Sequence, residues 1–228
     1  MATKIEKQRI DLADKRDEIK KQLAALEAEI ASAGGRELAM LKAEAKRLSA
    51  AAKPAAKRPE YGYHSNIEAA PENEKWVTVD LGRTVEVRKV NLHPCHDEYA
   101  EIGAGFGFPV RFKLEAATSE AFDDARLLAD ESKADFPSPG LSPYLIERPL
   151  KARFVRVTAT KLATRSNDYI FALSELEVID SDGNNAALNA KVTSFDSIGA
   201  TVRWRRTNLV DGIWPRAADP KAAAALAE

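Results

Sequence analysis

The chain has 228 residues, 45% hydrophobic and 30% charged, with a formal net charge of −1, three histidines and one cysteine. That is room for one sizeable domain plus an extension, or for two small domains, and a single cysteine excludes an intrachain disulfide. No apolar run reaches the ~18 residues of a membrane span, and the charged opening MATKIEKQRIDLADK lacks the apolar stretch of a signal peptide.

Charge is unevenly spread. Residues 1–58 carry 14 Lys+Arg against 9 Asp+Glu, and the remainder carries 20 against 26. Nucleic-acid binding needs a concentrated basic surface. The larger, acidic part does not offer one, so no nucleic-acid partner is expected.

In chain order, residues 3–50 are rich in Ala, Lys, Glu, Arg and Leu and lack proline. Ile5, Leu12, Ile19 and Leu26 recur every seven residues, and Gly34-Gly35 interrupts the pattern before Leu38, Leu41, Ala45 and Leu48 resume it. This predicts an α-helical hairpin over residues 1–50, with helices at about 4–32 and 36–50. Its apolar stripe needs cover, from the rest of the chain, a partner helix or a second copy. AAKPAAKRP (51–59) reads as a linker.

From residue 60 the period becomes two. WVTVDLG (76–82) places Val77, Val79 and Leu81 on one face, and TVEVRKVNL (84–92) slips by one position, which predicts a bulge near Arg88-Lys89. PVRFKLEAA (109–117), RFVRVTAT (153–160) and FALSELEVI (171–179) repeat the alternation. The stretches 93–109, 118–145 and 161–170 read as long irregular loops. Short alternating strands without intervening helices predict a mainly β fold, an antiparallel β-sandwich or jelly roll spanning 60–215, with a tail at 216–228.

Five of these pieces, WVTVDLG, VRKVNL, FPVRFKLEAATSE, ARFVRVTAT and ALSELEVI, come in an order and spacing that resembles a discoidin, or coagulation factor 5/8 type C, domain. That group includes the family-32 carbohydrate-binding modules and shares the galactose-binding-like jelly roll. One feature departs from the pattern: NAALNAKVTSF (185–195) and NLVDG (208–212) resemble a segment that normally opens such a domain, yet here they follow it. Either a second copy begins near residue 184, or the domain is circularly permuted and 185–215 supplies the missing front. An orphaned strand carrying Val192, Val202, Trp204 and Trp214 would expose much apolar surface, which favours permutation. The helical arm, the GYHS opening and the trailing NLVDG together look like modules inside large bacterial proteins of the planctomycete multidomain type. An extracellular or cell-surface setting follows if the chain is part of a larger secreted protein.

Domains similar to this bind ligands through loops at one end of the sandwich. The resemblance therefore implies glycan contacts among Tyr63, His64 and Asn66 in YGYHSN, His96 and Phe106 in the 93–109 stretch, and Arg165, Asn167 and Tyr169 in RSNDY. Aromatic rings take the C–H face of a sugar while amides, imidazoles and guanidinium groups take its hydroxyls. The RSNDY group ranks first among them. The resemblance also implies a structural Ca²⁺ held by Glu175, Asn208 and Asp211. HPCHDEY (93–99) crowds two histidines and the cysteine too tightly for an ordinary zinc site.

No nucleophile elbow, P-loop or catalytic metal motif is present. The expected function is non-catalytic glycan binding, targeting a larger protein to its substrate; the alternative is a protein-interaction or assembly module acting through the helical hairpin.

Overall fold

The computed structural model describes residues 61–200 and 202–216, together with Gln22, Gly35, Met40 and Arg58. The chain divides into two compact units, Met1–Ala55 and Ala56–Glu228. In the first, Gln22, Gly35 and Met40 are helical; the hairpin as a whole, the 51–59 linker and the tail beyond Arg216 lie outside the described residues. Among the described residues no helix is long and apolar enough to cross a membrane.

The second unit is built on a six-stranded antiparallel sheet. Its strands are β2 (Lys75–His93), β5 (Arg111–Ala117), β6 (Arg126–Asp130), β7 (Tyr144–Lys161), β11 (Glu175–Asp180) and β12 (Lys191–Ser194), in the order β11-β2-β7-β5-β6, with β12 also on β2. Three two-stranded ribbons complete the architecture. They are β1 (Tyr63–His64) with β10 (Ala172–Leu173), β3 (Cys95–Asp97) with β4 (Gly103–Phe106), and β8 (Ala163–Thr164) with β9 (Tyr169–Ile170).

The period-2 pattern explains the packing. Val77, Val79, Phe112, Leu114, Ala116, Val155, Val157 and Ala159 are each fully buried in the sheet. They share one core with Tyr63, Leu162, Phe171 and Leu173 from the facing layer, and with Ala187, Leu209 and Val210 from the trailing segment. A smaller cluster, Cys95, Phe106, Ile170, Ala172 and Trp204, sits where the β3–β4 ribbon meets that segment.

Several sequence expectations change. WVTVDLG and TVEVRKVNL, read as two strands, form the single strand β2, antiparallel to β7 on both sides of an interruption between Asp80 and Val85. The chain bends at Gly82 (φ +75°) without reversing, because Gly82 N–H turns back to donate to Asp80 Oδ1. The register also shifts between Val87 and Lys89, at the expected bulge. FALSELEVI does the opposite, splitting at Ser174 so that β10 joins the facing layer and β11 joins the main sheet. The stretches read as irregular contain β3, β4, β6, β8, β9 and the first part of β7. Their polar, Gly- and Pro-rich composition hid edge pairing that needs little apolar side-chain area.

The trailing segment closes this sandwich. Lys191–Ser194 pairs with Asp80–Val77 of β2, and Gly62 bridges Trp204 in parallel, its N–H donating to Arg203 O at 3.0 Å.

Candidate functional site

The residues proposed from sequence do not gather in one place. Tyr63 is fully buried, packed edge-on to Phe171 at 5.5 Å, and its hydroxyl donates to Asp196 O. His64, also buried, pairs its Nδ1 with Ser65 O at 2.6 Å and lies 5.1 Å from Trp204, ring to ring. Phe106 stacks on the same indole at 5.8 Å, 98% buried. These three are core residues, since a period-2 run beside Gly-rich sequence looks the same whether its aromatics face ligand or core. Asn66 is exposed, and its backbone N–H donates to Asp196 Oδ1.

RSNDY forms the β8–β9 turn, closed by Arg165 N–H to Asp168 O at 2.8 Å. The Arg165 guanidinium is held by Asp168 through Nε–Oδ1 (2.9 Å) and Nη2–Oδ2 (2.6 Å) and lies over Tyr99. Asn167 sits exposed at the turn, while Tyr169 packs against the main core. Their alternate spacing would have put them on one face only in an extended strand, and this is a tight turn.

His96 does line a cleft. About 900 Å³ in volume, it is walled by His96, Asp97 and Glu98 on one side and by Arg203, Trp214 and Arg216 on the other. The first group comes from the β3 strand and its turn, the second from the trailing segment, so the cleft exists only because residues over 100 positions apart in sequence meet here. His96 Nε2 pairs with Glu98 Oε1 at 2.6 Å near the solvent. Asp97 is largely buried; it accepts Tyr99 N–H at 3.0 Å and pairs with Arg203 Nη2 at 3.0 Å. The Arg203 guanidinium lies 5.2 Å from the Trp204 ring centre, and that of Arg216 lies 4.9 Å from Trp214.

Trp214, half-buried, stacks on His93 at 4.2 Å with a 31° tilt. His93 in turn pairs with Glu177 Oε2 at 2.7 Å, as Asn91 Nδ2 does at 2.8 Å. Burial holds the His93 imidazole below its ordinary value despite Glu177, and it lowers His64 likewise. Sequence reading placed Trp214 among apolar residues to be covered and missed it as a cleft wall; NLVDGIW offered one signal, an aromatic two residues after a tight Asp-Gly turn.

Two of the three residues expected to hold Ca²⁺, Glu175 and Asp211, meet at that turn. Glu175, fully buried at the start of β11, accepts N–H from Asp211 (3.1 Å) and Gly212 (3.0 Å). Asp211 (φ −99°, ψ −1°) followed by Gly212 (φ +80°) is a right-handed then left-handed pair, which points consecutive N–H groups at one carboxyl group. Asn208 turns its Nδ2 to the carbonyls of Val202 and Arg203 at 2.9 and 3.0 Å. A hard cation needs converging oxygens, whereas this turn directs two N–H groups at Glu175. Burial pushes the Glu175 carboxyl up to about 9, with the Asp211 and Glu177 carboxylates adding to the rise and the two N–H groups opposing it.

The histidines and Cys95 lie apart chemically. Cys95 is fully buried and its thiol is pushed up by burial. Among the described residues no three His, Cys, Asp or Glu side chains form a group that could hold a metal ion.

Architecture and cleft together define a β-sandwich with an open, polar and aromatic cleft at one end. Solved structures similar to this chain include the family 32 carbohydrate-binding module of Clostridium perfringens NanJ in complex with galactose (TM-score 0.41, 16% identity, covering 55% of this chain and 80% of that one). A second is a family 32 module from Clostridium perfringens in complex with GalNAc-β-1,3-galactose (0.40, 19%, 55% and 79%). A third is the chitosan-binding module 1 of a Paenibacillus sp. IK-5 chitosanase/glucanase (0.36, 18%, 53% and 95%). No protein-family profile matches the chain, and no curated protein does.

Proposed function

We propose that this chain is a non-catalytic binding module whose ligand is a glycan held in the His96–Arg203–Trp214 cleft. The observation that carries this reading is the makeup of the cleft: an indole wall, two guanidinium groups, an imidazole and carboxylates facing one open space. Carbohydrate recognition pairs aromatic surface with fixed donors and acceptors, and this cleft holds both. Trp214 is backed by His93 and Arg203 is fixed by Asp97 of the opposite wall, so a ligand meets side chains already oriented. Targeting a larger protein to its substrate is the role this reading assigns.

A glycan array followed by affinity electrophoresis tests it. Retardation by at least one polysaccharide, reversed by the free oligosaccharide, is the expected result; migration unchanged in every gel would refute it.

A further inference from the structure

Resting on the glycan reading of the same cleft, we propose that its ligand is an anionic glycan, with a sugar carboxylate or sulfate received between Arg203 and Arg216. Both guanidinium groups lie on indoles, Arg203 on Trp204 and Arg216 on Trp214. A guanidinium laid on a ring is oriented by it and keeps its in-plane N–H donors for a planar, two-oxygen acceptor. Carboxylates and sulfates offer a pair of oxygens that share a negative charge, which neutral hydroxyls do not.

Two observations mark unmet capacity for an anion. The Arg203 Nε is buried and has no acceptor, although Nη2 of the same group is paired with Asp97. A buried donor without a partner is costly, so Asp97 alone does not satisfy the Arg203 head group. Arg216, exposed at the cleft edge, has no ion-pair partner among the described residues and lies over the Trp214 ring.

The carboxylates in the cleft are already engaged. Asp97 is 9% exposed, with one oxygen taken by Tyr99 N–H and the other by Arg203. Glu98 stands at the rim, its side chain 80% exposed and paired with His96. Residues 59–228 carry 20 Lys+Arg against 26 Asp+Glu. Diffuse attraction to a polyanion is therefore disfavoured, and selective binding would have to come from this cleft.

The test is calorimetric titration of the full chain at physiological ionic strength with three oligosaccharides of matched length: oligogalacturonide, sulfated galactan and neutral galactan. At least one acidic oligomer should bind about tenfold or more tightly than the neutral one, and comparison of the acidic arms tells carboxylate from sulfate. Arg216→Gln, an exposed position, should abolish the preference of acidic over neutral oligomers. Arg203→Gln, checked for folding by circular dichroism, should do the same. Equal affinity for acidic and neutral oligomers overturns the inference and leaves the glycan reading standing, as does an acidic preference that survives both substitutions. Failure of all three oligomers, with no other glycan retained on the array, overturns the reading itself.

Discussion

The sheet and the seam of this domain are held together by different physics. In the sheet, alternating apolar residues of β2, β5 and β7 fill one core. At the seam, where 185–216 meets the front of the domain and β11, specific polar groups make the joins. Lys75, 2% exposed, is pinned between Glu68 and Asp196. Burial alone would lower the Lys75 ammonium, but Asp196 and Glu68 reverse that and hold it above the ordinary lysine value. Glu175 receives the 211–212 turn, and Asp97 receives Arg203. A core of interchangeable hydrophobes tolerates variation, whereas a seam of single contacts places side chains in one geometry, and the cleft lies on the seam.

The largest expected effect belongs to the sheet. Phe112→Ala, at a fully buried position ringed by Phe108, Phe136 and Tyr144, should cost about 3–5 kcal/mol by chemical denaturation. A loss below about 1 kcal/mol would mean that the core is not packed as described.

At the seam, Gly62→Ala would set a Cβ 2.5 Å from Leu173 O and 2.9 Å from Ser174 Cα. Neither backbone atom can yield cheaply, and the Arg203 and Arg205 hydrogen bonds to Gly62 hang on its position. A loss of about 2–3 kcal/mol is expected, read as a lower denaturation midpoint; a neutral outcome would break the contrast between the two regions.

Glu175→Gln should cost about 1–3 kcal/mol, because an amide can accept one of the two N–H groups but not both. It also carries a pH signature. A carboxyl raised in the folded state contributes stability that is fully present below the unfolded value of ~4.3 and is lost as pH rises toward about 9. His64 and His93, lowered in the folded state, act in the opposite sense: their contribution is present above ~6.5 and lost as pH falls. The window from pH 7 to 8 lies above the histidines and below the ~8.5 of an unfolded Cys95 thiol, which burial also raises, and so isolates Glu175; the thermal midpoint should fall across it and Glu175→Gln should flatten that slope. An unchanged slope in the variant would assign the effect elsewhere. The smallest effect is calcium: neither chelator nor added Ca²⁺ should move the midpoint, since the 211–212 turn presents N–H groups to Glu175; a rise of several degrees on adding Ca²⁺ would restore the cation.

The same contrast explains what could be read from sequence. Val77, Val79, Phe112, Leu114, Val155 and Val157 announced the sheet because burial on one face imposes a period of two, and the apolar content of 185–215 announced that it needed covering. The cleft was legible only at His96. Tyr63, His64 and Phe106 carry the residue types of a sugar site, but pairing registers that sequence does not display put them inside. Arg203, Trp214 and Arg216 went unread because what gives them meaning is their approach to β3, a contact across more than 100 residues. Glu175 and the Asp-Gly turn of NLVDG were paired from sequence, but the N–H direction at Gly212 was not readable, because it follows from a positive φ.

The central claim is that the trailing segment, and not the β8–β9 turn, builds the ligand site. Titrating a glycan identified on the array into Trp214→Ala and Asn167→Ala, each with its fold checked by circular dichroism, tests this directly. The account predicts that Trp214→Ala loses binding by tenfold or more while Asn167→Ala binds as the parent does; loss at Asn167 with full affinity at Trp214 would contradict it.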